Sequence, residues 1–173
     1  MMRTEIRSKY SRKKNVEELF IRAAKQEEDG KLRSAFRLYL AAAKAGDTSC
    51  QLNVGNFYDA GTGVRRNRSA ALYWYKRAYR RGVSCAASNI GVMWRNEKKP
   101  KRALEWFEKA VRSGDEEANL EIAKHYVWNE PNTAKAIHHL EKVCQSNCVT
   151  EAGKEEATKL LKQLSRRGGG RYG

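Results

Sequence analysis

Cys50-Gln-Leu-Asn-Val-Gly-Asn-Phe-Tyr58, then Gly61-Thr-Gly-Val64, then Ala70-Ala-Leu-Tyr-Trp-Tyr-Lys-Arg-Ala78 and Gly82: the reading of this stretch decides the fold. Cys50, Val54, Gly55 and Tyr58 fall four, eight, nine and twelve residues after Gly46. Ala71, Trp74, Tyr75 and Ala78 fall eleven, eight, seven and four residues before Gly82. Steps of three and four put each set on one face of a helix. Small residues on one face and aromatics on the other let two helix axes approach closely, with the rings filling the space. The stretch therefore predicts a helical hairpin, helix A then helix B, with Gly61 and Gly63 in the turn between them.

The same pattern recurs outward in both directions. Gly46, Gly82, Gly114 and Asn147 stand 36, 32 and 33 residues apart, and all four tolerate the left-handed conformation common after a helix C-terminus. Before each anchor, the helix B columns read Ala35, Ala71, Ala103, Ala136; Leu38, Trp74, Trp106, His139; Tyr39, Tyr75, Phe107, Leu140; and Ala42, Ala78, Ala110, Val143. After each anchor, the helix A columns read Cys50, Ala86, Ala118; Val54, Ile90, Ile122; Gly55, Gly91, Ala123; and Tyr58, Trp94, Tyr126. A fixed period of this length is the signature of a repeat array. Four hairpins are expected, at 16–45, 49–81, 84–113 and 116–146. A last helix at about 151–164, with Ala157, Leu160, Leu161 and Leu164 among Lys and Glu, reads as a cap over the fourth hairpin. The expected fold class is all-α, an α–α superhelical solenoid. Its organisation is a basic flexible N-terminal arm (1–14), the repeat solenoid (15–164) and an Arg/Gly-rich flexible tail (165–173).

These residues resemble the Sel1-like repeat family, which is related to tetratricopeptide repeats. The second hairpin is a nearly complete family repeat, with Gly61 and Gly63 as its loop glycines. The third keeps Ala86, Asn89, Gly91, Trp94, Ala103, Trp106, Phe107, Ala110 and Gly114 but has a shorter loop (96–101) without the glycine pair. The fourth keeps Ala118, Tyr126, Ala136 and Leu140 and has Ala123 where glycine is usual. The first matches mainly in helix B. The resemblance spans roughly 15–147 and implies a right-handed superhelix that serves as a protein–protein adaptor. A secreted branch of the family carries a cysteine pair in each repeat; here the second and third hairpins have one cysteine each, which does not support that branch or its penicillin-binding activity.

The net charge is +15, from 35 Lys and Arg against 20 Asp and Glu. The excess concentrates at the ends: Arg3, Arg7, Lys9, Arg12, Lys13 and Lys14 against Glu5, and Arg166, Arg167 and Arg171 with no acid. Such a balance attracts nucleic acid, anionic lipid or acidic proteins. No stretch approaches the run of about 20 apolar residues a membrane helix needs, so no membrane insertion is expected. The charged N-terminus does not read as a secretory signal, which makes the cytoplasm the expected location, a monomer the expected state, and free thiols the expected form of Cys50, Cys85, Cys144 and Cys148.

In a repeat array the surface left after stacking is the functional surface. On helix A the positions away from the core columns are Leu52, Asn56 and Asp59; Ser88, Val92 and Arg95; and Leu120, Lys124 and Val127. The resemblance places helix A on the concave side, so this stripe is the expected groove for a protein or peptide partner. The alternative is that Leu52, Val92 and Leu120 pack on the neighbouring repeat. A basic patch is expected at Arg65, Arg66, Arg68, Arg77, Arg80 and Arg81, continued by Lys109 and Arg112. With the tails, whose C-terminal run Arg166-Arg-Gly-Gly-Gly-Arg-Tyr-Gly173 combines charge with an aromatic, it is the alternative surface, suited to nucleic acid or an acidic partner. The bland reading of the same residues is a solvated face whose cations complement helix C-termini.

No catalytic residue, cofactor or metal ligand is expected. His125 falls on the flank of the helix A core face, and His139 takes the place of Trp74 and Trp106, so both read as packed side chains. His138 and His139 are adjacent and point about 100° apart on a helix. Cys144 and Cys148 have no further zinc ligands nearby in sequence. Nothing pairs a nucleophile with a base, so a hydrolase is the least supported class.

Overall fold

The computed structural model describes the backbone of residues 2–168 and the side chains of residues 15–166. Among the described residues there are nine helices and no strand. Consecutive helices pack as hairpins, an all-α solenoid. The chain divides into two compact units, with the boundary between Val83 and Ser84.

The first unit holds α1 (Met2–Glu28), α2 (Leu32–Ala45), α3 (Thr48–Ala60) and α4 (Arg68–Tyr79). Each packs on the next in chain order. Helix α1 runs back through the segment expected as a flexible arm; neither Gly nor Pro stands before Gly30, so nothing in the local sequence breaks it. The C-terminal run 169–173 lies outside the described residues. Ala35, Tyr39 and Ala42 of α2, Cys50 and Val54 of α3, and Ala71, Trp74, Tyr75 and Ala78 of α4 are all buried, as the column spacing requires. Gly46 and Gly61 close α2 and α3 with positive φ, at 109° and 77°. Asp47 and Asn67 cap α3 and α4, accepting from the amides of Cys50 and Ala70. Such caps are each worth about 1 kcal/mol.

The second unit holds α5 (Cys85–Asn96), α6 (Pro100–Arg112), α7 (Ala118–Trp128), α8 (Thr133–Gln145) and α9 (Glu151–Gly168). Pro100 opens α6 at its first turn, where a missing N–H costs nothing. Gly114 takes φ 95° as expected, but Asn147 does not follow its glycine counterparts. Helix α8 ends instead on an extended Ser146, which frees the chain to turn into α9. The one non-glycine with positive φ among the described residues is Lys98, in the tight α5–α6 turn that lacks the glycine pair. Helix α9 covers the fourth hairpin as a cap, burying Ala157, Leu160 and Leu164. Glu117 anchors its start by accepting from Thr150 N and Thr150 Oγ1 at 3.1 and 2.8 Å.

The helix A core face is rotated slightly from the sequence reading. Tyr58, Trp94 and Tyr126 are half-buried. The column one residue earlier, Phe57, Met93 and His125, lies deeper in the core.

Candidate partner-binding surface

The nine stripe residues meet different fates. In the first unit Leu52 and Asp59 are half-buried and Asn56 is exposed. Asn56 accepts a hydrogen bond from the Tyr75 hydroxyl at 2.8 Å, so its side chain is held rather than free to swing. The Asp59 carbonyl accepts from Arg66 Nε at 2.8 Å. In the second unit Ser88 Oγ donates to Asp115 Oδ2 at 2.6 Å, Val92 is half-buried and Arg95 is exposed. Arg95 pairs with Glu121, which also holds Lys124 at 3.1 Å.

The fourth-repeat end of the stripe is largely occupied. Leu120 is 5% exposed and belongs to the core shared with α8 and α9, so it is not a surface contact. Val127 packs against the same cluster. Lys124 reaches Glu156 of α9 at 2.9 Å. Burial disfavours its charge, yet Glu156 and Glu121 outweigh that and raise its pKa. For Leu120 the sequence reading weighs packing against exposure; that Glu156 of α9 meets Lys124 cannot be read from the period.

Beside Arg95, Glu121 and Lys124 the second unit has a cavity of about 120 Å³ between α6 and α7. Pro100, Ala103, Leu104 and Phe107 form one wall, and His125, Trp128 and Asn129 form the other. Trp128 is 58% exposed, and the columns gave no hint of it because it lies outside them.

The basic patch is partly committed within each unit. Arg65, Arg66, Arg80 and Arg81 are exposed, and Arg68 is half-buried. Arg77 donates to the Tyr73 hydroxyl at 3.0 Å and lies over the Trp74 ring. In the second unit Lys109 sits 4.2 Å from the Trp106 ring centroid, and Arg112 approaches Glu108 at 3.9 Å. Lys99 and Arg102 flank Trp94 in the same way. Cations over indole faces gain from the ring quadrupole and cover apolar surface with their stems.

His125 and His139 are packed side chains, whereas His138 is exposed. His139 stacks on Tyr126, and its Nδ1 meets Asn119 Oδ1 at 2.9 Å. Asn119 Nδ2 already donates to Glu116 O, so the ring must donate from Nδ1. Burial, with His138, Lys142 and Lys135 nearby, lowers the His139 pKa to about 4. His125 is buried at the position where the first unit has Phe57, and its Nε2 lies 3.8 Å from Glu130 Oε2. All four cysteines are unpaired thiols. Burial first, then Asp47, drives the Cys50 pKa well above its ordinary value, which leaves it protonated and inert. Among the described residues no group of His, Cys, Asp or Glu has the geometry to hold a metal ion, and no helix is long and apolar enough to cross a membrane.

The Sel1 repeat profile matches residues 29–47, 48–83, 96–115 and 130–148, which take in the whole second hairpin and the second helix of the first, third and fourth. The chain belongs to the Sel1 repeat family. The putative sel1-like repeat-containing protein L21 of Acanthamoeba polyphaga mimivirus is 29% identical over 107 residues, which is 61% of this chain and 20% of that protein. Two solved structures share the fold. The Sel1 repeat protein from Oxalobacter formigenes superposes with a TM-score of 0.59 at 20% identity, over 78% of this chain and 64% of its own. The protective antigen c5321 of uropathogenic Escherichia coli, which displays the same repeat fold, gives 0.67 at 21% identity, over 93% of this chain and 40% of its own. The chain thus spans about a fifth of the curated relative and well under two thirds of c5321. Sel1 repeats generally act as non-catalytic scaffolds for protein interaction.

Proposed function

We propose that this chain is a non-catalytic Sel1 repeat scaffold that binds a protein partner through exposed helix A side chains, Asn56 in the first unit and Arg95 in the second. The observation that carries the reading is the contrast among the helix A positions: Asn56 and Arg95 are exposed but held in place by hydrogen bonding or ion pairing, whereas Leu120 is buried, Val127 packs on the same core and Lys124 is paired with Glu156 of α9. Side chains fixed before binding lose little entropy on binding, which favours a specific interface. No nucleophile–base pair enters the reading, so catalysis has no part in it. The test is affinity capture with the purified chain, followed by binding measurements on Asn56→Ala and Arg95→Ala. A partner that loses at least tenfold in affinity supports the face; a partner bound unchanged by both variants overturns it.

The exposed arginines support a second reading, binding of nucleic acid or an acidic partner. Arg65, Arg80 and Arg81 are exposed, and among the described residues none of them pairs with a carboxylate, which leaves their charge available. Binding to a labelled single strand would weaken steeply between low and physiological salt as counterions are released. No gel shift even at low salt overturns it.

A further inference from the structure

Each unit contains the same three-helix piece, helix B followed by the next hairpin: α2–α3–α4 in the first, α6–α7–α8 in the second. Counting from the anchors Gly46 and Gly114, Leu32 corresponds to Pro100, Phe36 to Leu104, Tyr39 to Phe107 and Phe57 to His125. In the first unit this corner is filled. Phe57 packs on Phe36 and Tyr39 with ring centroids 5.9 and 5.8 Å apart. Val64, from the 61–67 connection, seals the same cluster, and Gly63 brings that connection down onto the backbone of Leu32. In the second unit one phenyl ring gives way to Leu104, another to the smaller imidazole of His125, and the connection shortens to 129–132. The cavity of about 120 Å³ lies at this corner.

We infer that this corner is a socket for one aliphatic side chain carried on an extended segment of the protein partner. The first unit shows what the shape accepts: its own Val64, delivered by an irregular stretch of chain across the helix ends. Protein interiors are close-packed, so the space left where Leu104 and the smaller imidazole of His125 replace phenyl rings is a deficit that a partner atom repairs. An apolar cavity of roughly 150 Å³ takes up benzene, which makes this one the size of a single valine or leucine side chain. Exposed Trp128 stands at the mouth, where an aromatic flank excludes water from an inserted side chain. The inference rests on the protein-binding reading above and adds the chemistry of the contact.

The test is a titration of the isotope-labelled full chain with N-acetyl-valine amide and, separately, N-acetyl-glycine amide, followed by NMR. The valine probe is expected to give saturable shifts at the Ala103 and Leu104 methyls and the Trp128 indole. Its affinity should exceed the glycine probe's by about tenfold, the gain from burying the side chain. His125→Phe and Leu104→Phe restore the rings that the first unit uses, and each should remove that preference. Equal weak shifts from both probes, or a valine response unchanged in both variants, overturn the inference. A captured partner that binds H125F as tightly as the parent chain also overturns it while leaving the protein-binding reading in place. A chain that retains no protein partner yet takes up the valine probe overturns that reading and keeps the socket.

Discussion

In the second repeat Gly55 lies under the ring of Tyr75, and in the third Gly91 lies under Phe107. A Cβ built on either glycine would stand 2.5 or 2.6 Å from a ring carbon, closer than atoms pack. The fourth repeat has Ala123 and Leu140 at the same two positions, both buried in one cluster. The difference teaches that glycine is not a requirement of the hairpin itself. It is a requirement of the flat ring opposite, which must approach the partner helix closely enough to touch backbone. Where a leucine replaces the ring, alanine fits and the helix regains the better helix former. The alanine that departs from the family pattern is thus half of a matched pair.

The comparison can be broken most severely at the loop that only the second repeat has. Gly63→Ala puts a Cβ 2.6 Å from the Leu32 carbonyl carbon at a φ of 65°, so neither a side chain nor a favourable dihedral can relieve it. The loss should exceed about 2 kcal/mol in chemical unfolding, from the left-handed penalty and the overpacking together. Gly55→Ala should cost about 1–3 kcal/mol. Its cost should fall when Tyr75→Leu is made alongside, and a double-mutant cycle with no coupling between the two would refute the pairing. In the fourth repeat Ala123→Gly should cost only about 1 kcal/mol, mostly helix propensity. There, Leu140→Tyr should be tolerated better in the Ala123→Gly background than alone.

The smallest effect concerns His139, which replaces the tryptophan of the second and third repeats. Its folded pKa of about 4 lies below the ordinary 6.5, so between these values the unfolded chain binds the proton and the folded chain does not. Stability therefore rises with pH through that window and is lost as pH falls from 6.5 towards 4. His139→Gln should flatten this part of a melting-temperature profile relative to the parent chain. Parallel profiles would show that the ring titrates normally.

Much of the architecture was legible because repetition averages out local noise. Four copies of an i, i+3, i+4, i+7 pattern located each helix B, three copies of a second pattern located helix A in the later hairpins, and the apolar residues of 151–164 marked the cap. The exceptions have local causes. Asn147 was matched to glycines by its place in the period, but α8 leaves through an extended Ser146 because the chain must turn into α9 there. The column at Phe57, Met93 and His125 was passed over because its members differ so much in chemistry that they do not look like one position. The candidate surface was less legible. Leu120 and Val127 sat at stripe positions by period, and only the core that α7 shares with α8 and α9 shows them packed. The socket depends on residues that are missing relative to the first unit, and periodicity records what recurs, not what is absent.

The approach of Gly63 to Leu32 also bears on how the repeats diverge. That contact is made by main chain against main chain, beside the packing of Phe36 and Tyr39 on Phe57, so the first helix B is held by its path as well as by its side chains. Substitutions along its exposed face leave such a junction untouched. A helix held at two levels in this way has little room to drift, which fits a first hairpin whose family likeness survives mainly in that helix B.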